Sequence, residues 1–471
     1  MPRAVALARV LPAIFSASIV VLLAGCTTPV LQSEVGVPDR FAAAPESGAA
    51  PDVKWWERFG DPVLTELIQR AARENRDVRI AAERVRAARS GETISRSWLL
   101  PSLGAVASGI DHDTDGSPDF NARAAALSVS WELDVAGRLR AGSAATTAER
   151  IATESGARGV RLLVLADVAS GYFTLVGAQR QLDTVRAISA AHDETLRLVT
   201  ARHRVGLASQ FDVERARTDA SRARAAIPPL ETLVAVSRHR IAVLIGAQAS
   251  NATAAVVAWS GTAVVPDVAP GQPAVLLERR PDLLASRALL DAANWRRREA
   301  AAEWFPRLFV NALFGHQDLE LDALDYGGAR FTNASALLAM PIFNWGRTRA
   351  INDVAESAQR EALLRYEDAI VRALEDVENA LVILRDERHR ADALQNAAAA
   401  ADSALARAQS LYDRGQIDLL PLLDAQRTRL TVEVSANDSS TQLFLDAVQL
   451  FKALGGGWEE FEPVASNGES S

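Results

Sequence analysis

The sequence has little of what enzymes and disulfide-bonded domains require. It contains one cysteine, Cys26, in 471 residues, so no disulfide can form within the chain. Its six histidines are scattered. There is no HExxH motif, no paired Cys or His at metal spacing, no GxSxG elbow and no phosphate-binding glycine loop. These absences argue against catalysis and against a bound metal or other cofactor. The formal net charge of −8 argues against nucleic acid as a partner.

The N-terminal segment 1–25 is predicted to be a secretion signal. It carries two arginines followed by the run VLPAIFSASIVVLLAG, which is short for a membrane-spanning helix. The run ends in LLAGC, a pattern that resembles the bacterial lipoprotein signal, in which the cysteine, here Cys26, is acylated and becomes the mature N-terminus. The alternative is a plain leader with an incidental thiol. Thr27 follows the cysteine, where an Asp favours inner-membrane retention, so the outer membrane is the expected location.

The chain repeats itself. GRLRA from Gly137 returns as GRTRA from Gly346, and the same offset of 209 residues relates Gly206 to Gly415. Upstream the offset is 205 residues, so four extra residues lie between Pro306 and Gly346. So long a period is not that of a solenoid unit, and it indicates a duplicated half-molecule with pseudo-twofold internal symmetry.

Each half is predicted to contain a short helix, a β-hairpin, a long helix and a return helix. The long helices have apolar residues at coiled-coil spacing and lack proline, and glycine marks each reversal into the return helix. The first repeat, 76–246, has its hairpin at 101–135, its long helix at 137–203 and its return helix at 207–246. The second, 273–455, has them at 306–343, 346–413 and 416–455. The remaining segments are 26–75, a lipid-anchored N-terminal and equatorial segment, 247–272, an equatorial linker, and 456–471, a C-terminal tail.

The strands point to a shared transmembrane barrel. In ALSVSWELDV, from Ala126, apolar residues alternate with polar ones, which is typical of a strand with one apolar face. Four such strands cannot close a barrel, and open edges are not tolerated in lipid, so several chains must contribute to one barrel. Tryptophans in or beside the strands fit an interfacial aromatic girdle, the alternative being an ordinary core: Trp98, Trp131, Trp304 and Trp345.

These features resemble the TolC-type outer-membrane efflux family, specifically its NodT-type lipoprotein branch. The similar stretches are WWERFGDPVLTELIQRA, RRPDLLASRALLDAA, both GRxRA junctions, VGLASQFDVERAR and DRGQIDLLPLLDAQRT. The resemblance implies a mainly α fold with a small β part. In it a homotrimer builds an α-helical barrel from four helical strands per chain and a 12-stranded transmembrane β-barrel from four β-strands per chain.

The resemblance also implies the function and the partners. The protein is expected to be the outer-membrane channel of a tripartite efflux system, which passively conducts drugs or other small molecules to the exterior. Its partners would be a periplasmic adaptor protein, an inner-membrane pump of the RND type and outer-membrane lipid. Gly206 and Gly415, at the helix reversals, would mark the tips that meet the adaptor. The alternative is that these glycines serve only the turn.

Residues of a periplasmic gate follow from the resemblance by position. The family closes this end with a ring of acidic residues, here Asp424, and with polar contacts near the tips, here Tyr412 and Asp212. One turn before Asp424 relatives often carry a second acid, but this chain has Pro421, which leaves a second ring in doubt. The alternative for Asp424 is an exposed acid favoured by a nearby helix N-terminus.

One other function class fits a lipid anchor and long helical hairpins. A periplasmic adaptor or a coiled-coil scaffold would combine both features. An adaptor, however, would carry one helical hairpin between glycine-rich β modules, whereas this chain has two hairpins and two strand pairs. The channel is therefore the favoured interpretation, and the adaptor or scaffold is kept as the alternative.

Overall fold

The fold is known from a computed structural model that describes residues 28–44, 53–112, 120–252, 263–321 and 324–462. The N-terminal segment contains α1 (Pro62–Glu74), and the first repeat contains α2 (Arg76–Ser97), β1 (Ser102–His112), β2 (Phe120–Leu133), α3 (Arg138–Arg204), α4 (Gln210–Ala225) and α5 (Ile227–Leu244). The second contains α6 (Leu276–Arg279), α7 (Pro281–Ala302), β3 (Arg307–Leu321), β4 (Leu324–Ala339), α8 (Arg347–Asp413) and α9 (Leu419–Leu454).

The chain divides into two compact units. The first, referred to as the strand unit, comprises Met1–Val35, Glu83–Ser155 and Leu284–Ala369 and contains all four described strands. The second, the helical unit, comprises Gly36–Ala82, Gly156–Leu283 and Ile370–Ser471. Both long helices, α3 and α8, have 67 residues and contribute to both units.

The first return helix differs from the sequence prediction. A single helix was expected over 207–246, but α4 ends at Ala225 and α5 begins at Ile227. The cause is the pair Pro228-Pro229 at the start of α5, because neither residue has an N–H to donate to a carbonyl one turn earlier. In the second repeat no such pair occurs, and α9 runs without a break over 36 residues.

The strands form one antiparallel sheet in the order β1-β2-β3-β4. β2 and β3 are central, and β1 and β4 are its edges. The central pair brings the apolar residues of β2 opposite those of β3, as in the pairs Leu127↔Phe314 and Leu133↔Leu308. The alternation predicted for β2 is present, since Ser128 and Ser130 occupy the opposite face.

Most of the insertion in the second repeat lies after its hairpin. Four residues, 134–137, connect β2 to α3, whereas seven, 340–346, connect β4 to α8. The longer connection exposes Ile342 by 96% and Trp345 by 90%. Trp345 has a φ of 56° and is the one non-glycine residue with positive φ in the described chain. Trp98 and Trp304 are 67% and 52% exposed, so these three tryptophans do not belong to a core of this chain.

An aromatic cluster packs the segment before α1 against α3 and α9 of the helical unit. Phe59 is fully buried, and its ring centre lies 4.9 Å from that of Phe173 and 6.2 Å from that of Phe444. Trp55 stacks on Phe451 at 5.2 Å. The cluster joins residues from three distant parts of the sequence, and its buried rings dominate the local packing energy.

A side chain from outside each return helix donates a hydrogen bond to a carbonyl at the C-terminal end of that helix. In the first repeat the Asn75 side chain donates to the Leu244 carbonyl at 2.8 Å, near the end of α5. Its side-chain oxygen accepts from the N–H groups of Asp77 and Val78, at 2.8 and 3.2 Å, where α2 begins. One buried amide thus satisfies polar backbone groups at two helix ends.

In the second repeat a charged side chain makes the equivalent contact, and we call each of these two contacts a polar joint. Arg280 stands 205 residues after Asn75 and donates to the Ala453 carbonyl at 3.1 Å, in the last turn of α9. Its guanidinium also pairs with Asp282 at 2.7 Å and Asp376 at 3.0 Å. Burial opposes the charge, but these two aspartates outweigh it and raise the pKa of Arg280 further above its usual value.

Candidate gate and docking tips

Both long helices end in the same turn. At the end of α3 the Gly206 N–H donates to the His203 carbonyl at 3.0 Å, and the Leu207 N–H donates to the Arg202 carbonyl at 2.9 Å. At the end of α8 the same two bonds recur around Gly415. This is the Schellman motif, whose left-handed residue is most easily glycine, and φ is 76° and 70° at the two glycines.

The two tips present different surfaces. The first exposes three apolar side chains, Val205, Leu207 and Phe211, by 67 to 77%. The second exposes the polar residues Arg414 and Gln416 in place of Val205 and Leu207, while Leu420, the equivalent of Phe211, is 51% exposed. No atom lies within 4 Å of a Cβ built on Gly206 or Gly415, so neither glycine is required for close packing.

A small core joins the two tips inside the helical unit. It buries Val199, Val213, Tyr412, Leu419 and Leu422, which come from α3, α4, α8 and α9. Because both repeats contribute, movement of one tip relative to the other would disturb this packing.

The proposed contact residues lie in this region but are not hydrogen-bonded to each other. The Tyr412 ring is buried beneath the Arg202 guanidinium, which lies 4.2 Å from the ring centre. Asp212 forms a capping box at the start of α4, where its carboxylate accepts from the N–H of Ser209 at 3.0 Å and from its hydroxyl at 2.7 Å. Among the contacts of the described residues, none joins Asp212 to Tyr412.

Asp424 lies in the second turn of α9 and is exposed. Its neighbours Leu422 and Leu423 are buried in the core that joins the tips, so the carboxylate is held on the opposite, open face of the helix. Pro421 is exposed as well. The helix begins at Leu419 with Asp418 as its N-cap. The helix dipole acts most strongly on the first turn, and Asp424 lies beyond that turn.

A buried polar cluster above the tips was not predicted from the sequence. Asp219 on α4 is 4% exposed and receives a bidentate bond from Arg427 on α9, with both contacts of the Arg427 Nη2 at 2.9 Å. Gln426 donates to the Thr195 hydroxyl at 2.9 Å. Burial lowers the pKa of the neighbouring His192. The only sequence signal for this cluster was that Asp212 and Asp219, seven residues apart, lie on the same face of a helix. Acidic residues at that spacing are also typical of a solvated helix face.

Comparison with known proteins identifies the family. A sequence profile described as "Outer membrane efflux protein" matches residues 67–247 and 273–456, which are the two repeats and most of the chain. The chain belongs to the outer membrane efflux protein family. This confirms the expected family, the mainly helical fold with a small antiparallel sheet, the outer-membrane location and the role in efflux.

Individual relatives cover almost the whole of this efflux protein. It is 32% identical over 430 residues to the outer membrane protein OprJ of Pseudomonas aeruginosa, covering 89% of both chains. It is 28% identical to the probable outer membrane lipoprotein SilC of Salmonella typhimurium, covering 95% of this chain and 99% of that one. The open state of the Neisseria gonorrhoeae MtrE outer membrane channel aligns with a TM-score of 0.82 at 27% identity, covering 92% of this chain and 99% of MtrE.

By name, these relatives are an outer membrane protein, a probable outer membrane lipoprotein and an outer membrane channel, which favours a channel over an adaptor or scaffold. Cys26, the predicted acylation site of this efflux protein, lies outside the described residues.

Proposed function

We propose that this efflux protein forms a homotrimeric channel, the outer-membrane component of a tripartite efflux system. The observation that carries the proposal is the sheet with two unpaired edges, β1 and β4, and an apolar face on its central strands. From Leu133 to Ala125 this face of β2 extends about 27 Å along the strand, which at a tilt of about 40° covers roughly 20 Å of the apolar band of about 25 Å in outer-membrane barrels. Three copies would pair their edges into one closed barrel of twelve strands.

The helices would continue the channel on the periplasmic side. Twelve helices spaced about 10 Å apart form a ring of roughly 38 Å across the helix axes, which leaves a lumen of about 25 Å. A lumen this wide passes drugs and other small molecules without selecting among them, so the choice of cargo would lie with an inner-membrane pump of the RND type.

The test of this function is conductance in planar lipid bilayers, together with crosslinking of the outer-membrane fraction. The proposal predicts a trimer with heat-modifiable mobility and discrete, long-lived conducting steps. A purified monomer that forms no conducting steps would support the adaptor or scaffold instead.

Acylation of Cys26 is part of the proposal. The Cys26→Ser variant is expected to lose all labelling by radioactive fatty acid and to keep its leader, because the lipoprotein peptidase requires the modified cysteine. The trimer should still assemble, since the shared barrel buries far more apolar area than a lipid anchor contributes. Unchanged labelling of the variant would refute the assignment.

The proposal also includes docking of an adaptor on the two tips. Gly206→Trp and Gly415→Trp together are expected to impair efflux in cells while the yield of trimer stays normal, because the added rings occupy open space at both tips. Gly206→Asn and Gly415→Asn are the matched control, since asparagine accepts the left-handed conformation without the bulk. Normal efflux with both tryptophans in place would contradict docking at these tips.

The proposal also includes a periplasmic gate formed by Asp424. Three Asp424 carboxylates around one axis, about 7 Å apart at an effective dielectric near 40, would repel pairwise by roughly 1 kcal/mol and attract cations. Asp424→Ala is expected to weaken cation selectivity and abolish block by divalent ions in bilayers. Asp413→Ala, which removes a nearby exposed acid at the end of α8, is the control and should change neither. Full selectivity and block in Asp424→Ala would exclude Asp424 as the ring.

A further inference from the structure

Two buried amide side chains in the strand unit hold the segment that follows the leader. Asn294 on α7 pairs with both polar main-chain groups of Leu31: the Leu31 N–H donates to Oδ1 at 3.0 Å, and Nδ2 donates to the Leu31 carbonyl at 3.2 Å. Gln359 on α8 donates to the Pro29 carbonyl at 2.9 Å and to Asn294 Oδ1 at 2.7 Å. We refer to Asn294 and Gln359 as the amide clamp.

The clamp is complete only when residues 29–31 occupy it. With the segment in place, Gln359 is 2% exposed and Asn294 is 6% exposed, so these hydrogen bonds are shielded from water. Of the four hydrogen bonds that the clamp makes here, three go to the main chain of Pro29 and Leu31. Main-chain contacts of this kind fix the position of a segment while accepting almost any side chain at those residues.

The clamp lies close to the predicted lipid in sequence. Three residues lead from Cys26 to Pro29, so the two Cα atoms are at most about 11 Å apart. Gln359 is twelve residues from the start of α8 at Arg347, about 18 Å along the helix axis, and Asn294 is eight residues from the end of α7 at Ala302, about 12 Å. The lipid attachment point is therefore confined to the level of the helices and does not reach the strands.

We propose that the amide clamp positions the lipid anchor, so that the acyl chains on Cys26 enter the bilayer beside the strand-proximal ends of α7 and α8. Trp98 and Trp304, at the strand-proximal ends of α2 and α7, are exposed and provide the amphipathic rings that favour this depth of a membrane. The clamp thus sets the height of the barrel relative to the inner surface of the outer membrane. The inference rests on the proposed acylation of Cys26.

Proteolysis of the full-length protein in lipid vesicles tests the clamp. Glu34 is exposed and lies just beyond the clamped residues, so a glutamate-specific protease reports release of the segment. The double variant Asn294→Leu/Gln359→Leu is expected to be cut after Glu34 at least tenfold faster than the parent. Asn437→Leu, which removes an amide bonded to Thr184 in the helical unit, is the matched control and should match the parent. Equal rates in parent and double variant would overturn the clamp.

The parent protein provides a measurement that does not depend on the variant folding. The Leu31 amide should exchange its hydrogen at least a hundredfold more slowly than the neighbouring Gln32 amide, because Asn294 accepts its hydrogen bond. Similar exchange at both positions would also overturn the clamp. The mass of the released peptide separates the two proposals: a peptide 26–34 without lipid refutes acylation while the clamp stands.

The depth of the anchor is tested with a nitroxide on Trp98→Cys in the lipidated trimer. At the headgroup level the label collides more often with dissolved oxygen than a label in water does, and less often with a water-soluble nickel chelate. Collision rates equal to those in water would overturn the proposed level of the anchor.

Discussion

Replacing Arg280 by alanine should lower the free energy of unfolding by about 2–3 kcal/mol, because it removes a largely buried guanidinium that donates to a helix-end carbonyl and pairs with two half-exposed aspartates. The side chain is 11% exposed. Its loss leaves the Ala453 carbonyl at the end of α9 without its donor and leaves Asp282 and Asp376 without their common partner. The measurement is the temperature at which the purified protein loses its helical circular dichroism, which should fall by several degrees.

The repeat supplies a matched control for Arg280. Asp167 is the equivalent of Asp376 in the first repeat, and it pairs with Arg240 at 3.3 Å, where both side chains are more than half exposed. Arg240→Ala should therefore cost no more than about 1 kcal/mol. Equal effects of the two substitutions would mean that the buried joint contributes no more than a surface ion pair.

Replacing Phe59 by alanine is expected to lower the free energy of unfolding by about 3–5 kcal/mol, the usual cost of removing a fully buried ring. The ring touches Trp55, Phe173, Phe444 and Phe451, and the cavity left among four large rings cannot close by small movements. The same thermal measurement applies, with binding of a small aromatic solute as a second test for the cavity.

Phe211→Ala provides the control for Phe59. Phe211 is 67% exposed at the first tip, so its removal should change stability by less than about 0.5 kcal/mol. A small effect of Phe59→Ala, comparable to that of Phe211→Ala, would show that the segment before α1 contributes little to the stability of the helical unit.

Much of this architecture follows from patterns that the sequence displays openly. The glycines at the reversals, the long runs without proline and the alternation in β2 each reflect a strong local constraint on the backbone. The break between α4 and α5 was equally visible in Pro228-Pro229, but the helical spacing on both sides outweighed it in the prediction. The second hairpin, whose alternation is weaker, was predicted mainly because the repeat requires it, and it is present.

The polar joints and the buried polar cluster above the tips were not predictable from sequence in the same way. Asn75, Arg280 and Asp219 are polar residues on or beside helices, where a solvated side chain is the ordinary expectation. Their roles depend on carbonyls and cations that lie far away in the sequence, such as Leu244 for Asn75 at 169 residues. Burial alone distinguishes them from surface residues, and burial is a property of the packed chain.

The difference between the two tips has a consequence for stoichiometry. In a trimer, three apolar tips built around Leu207 would alternate with three polar tips built around Arg414. A ring of identical adaptor hairpins would then meet two chemically distinct classes of binding site. Titration of the channel with adaptor should give two steps of three molecules each, and the step at the polar tips should weaken more as salt screens the charges.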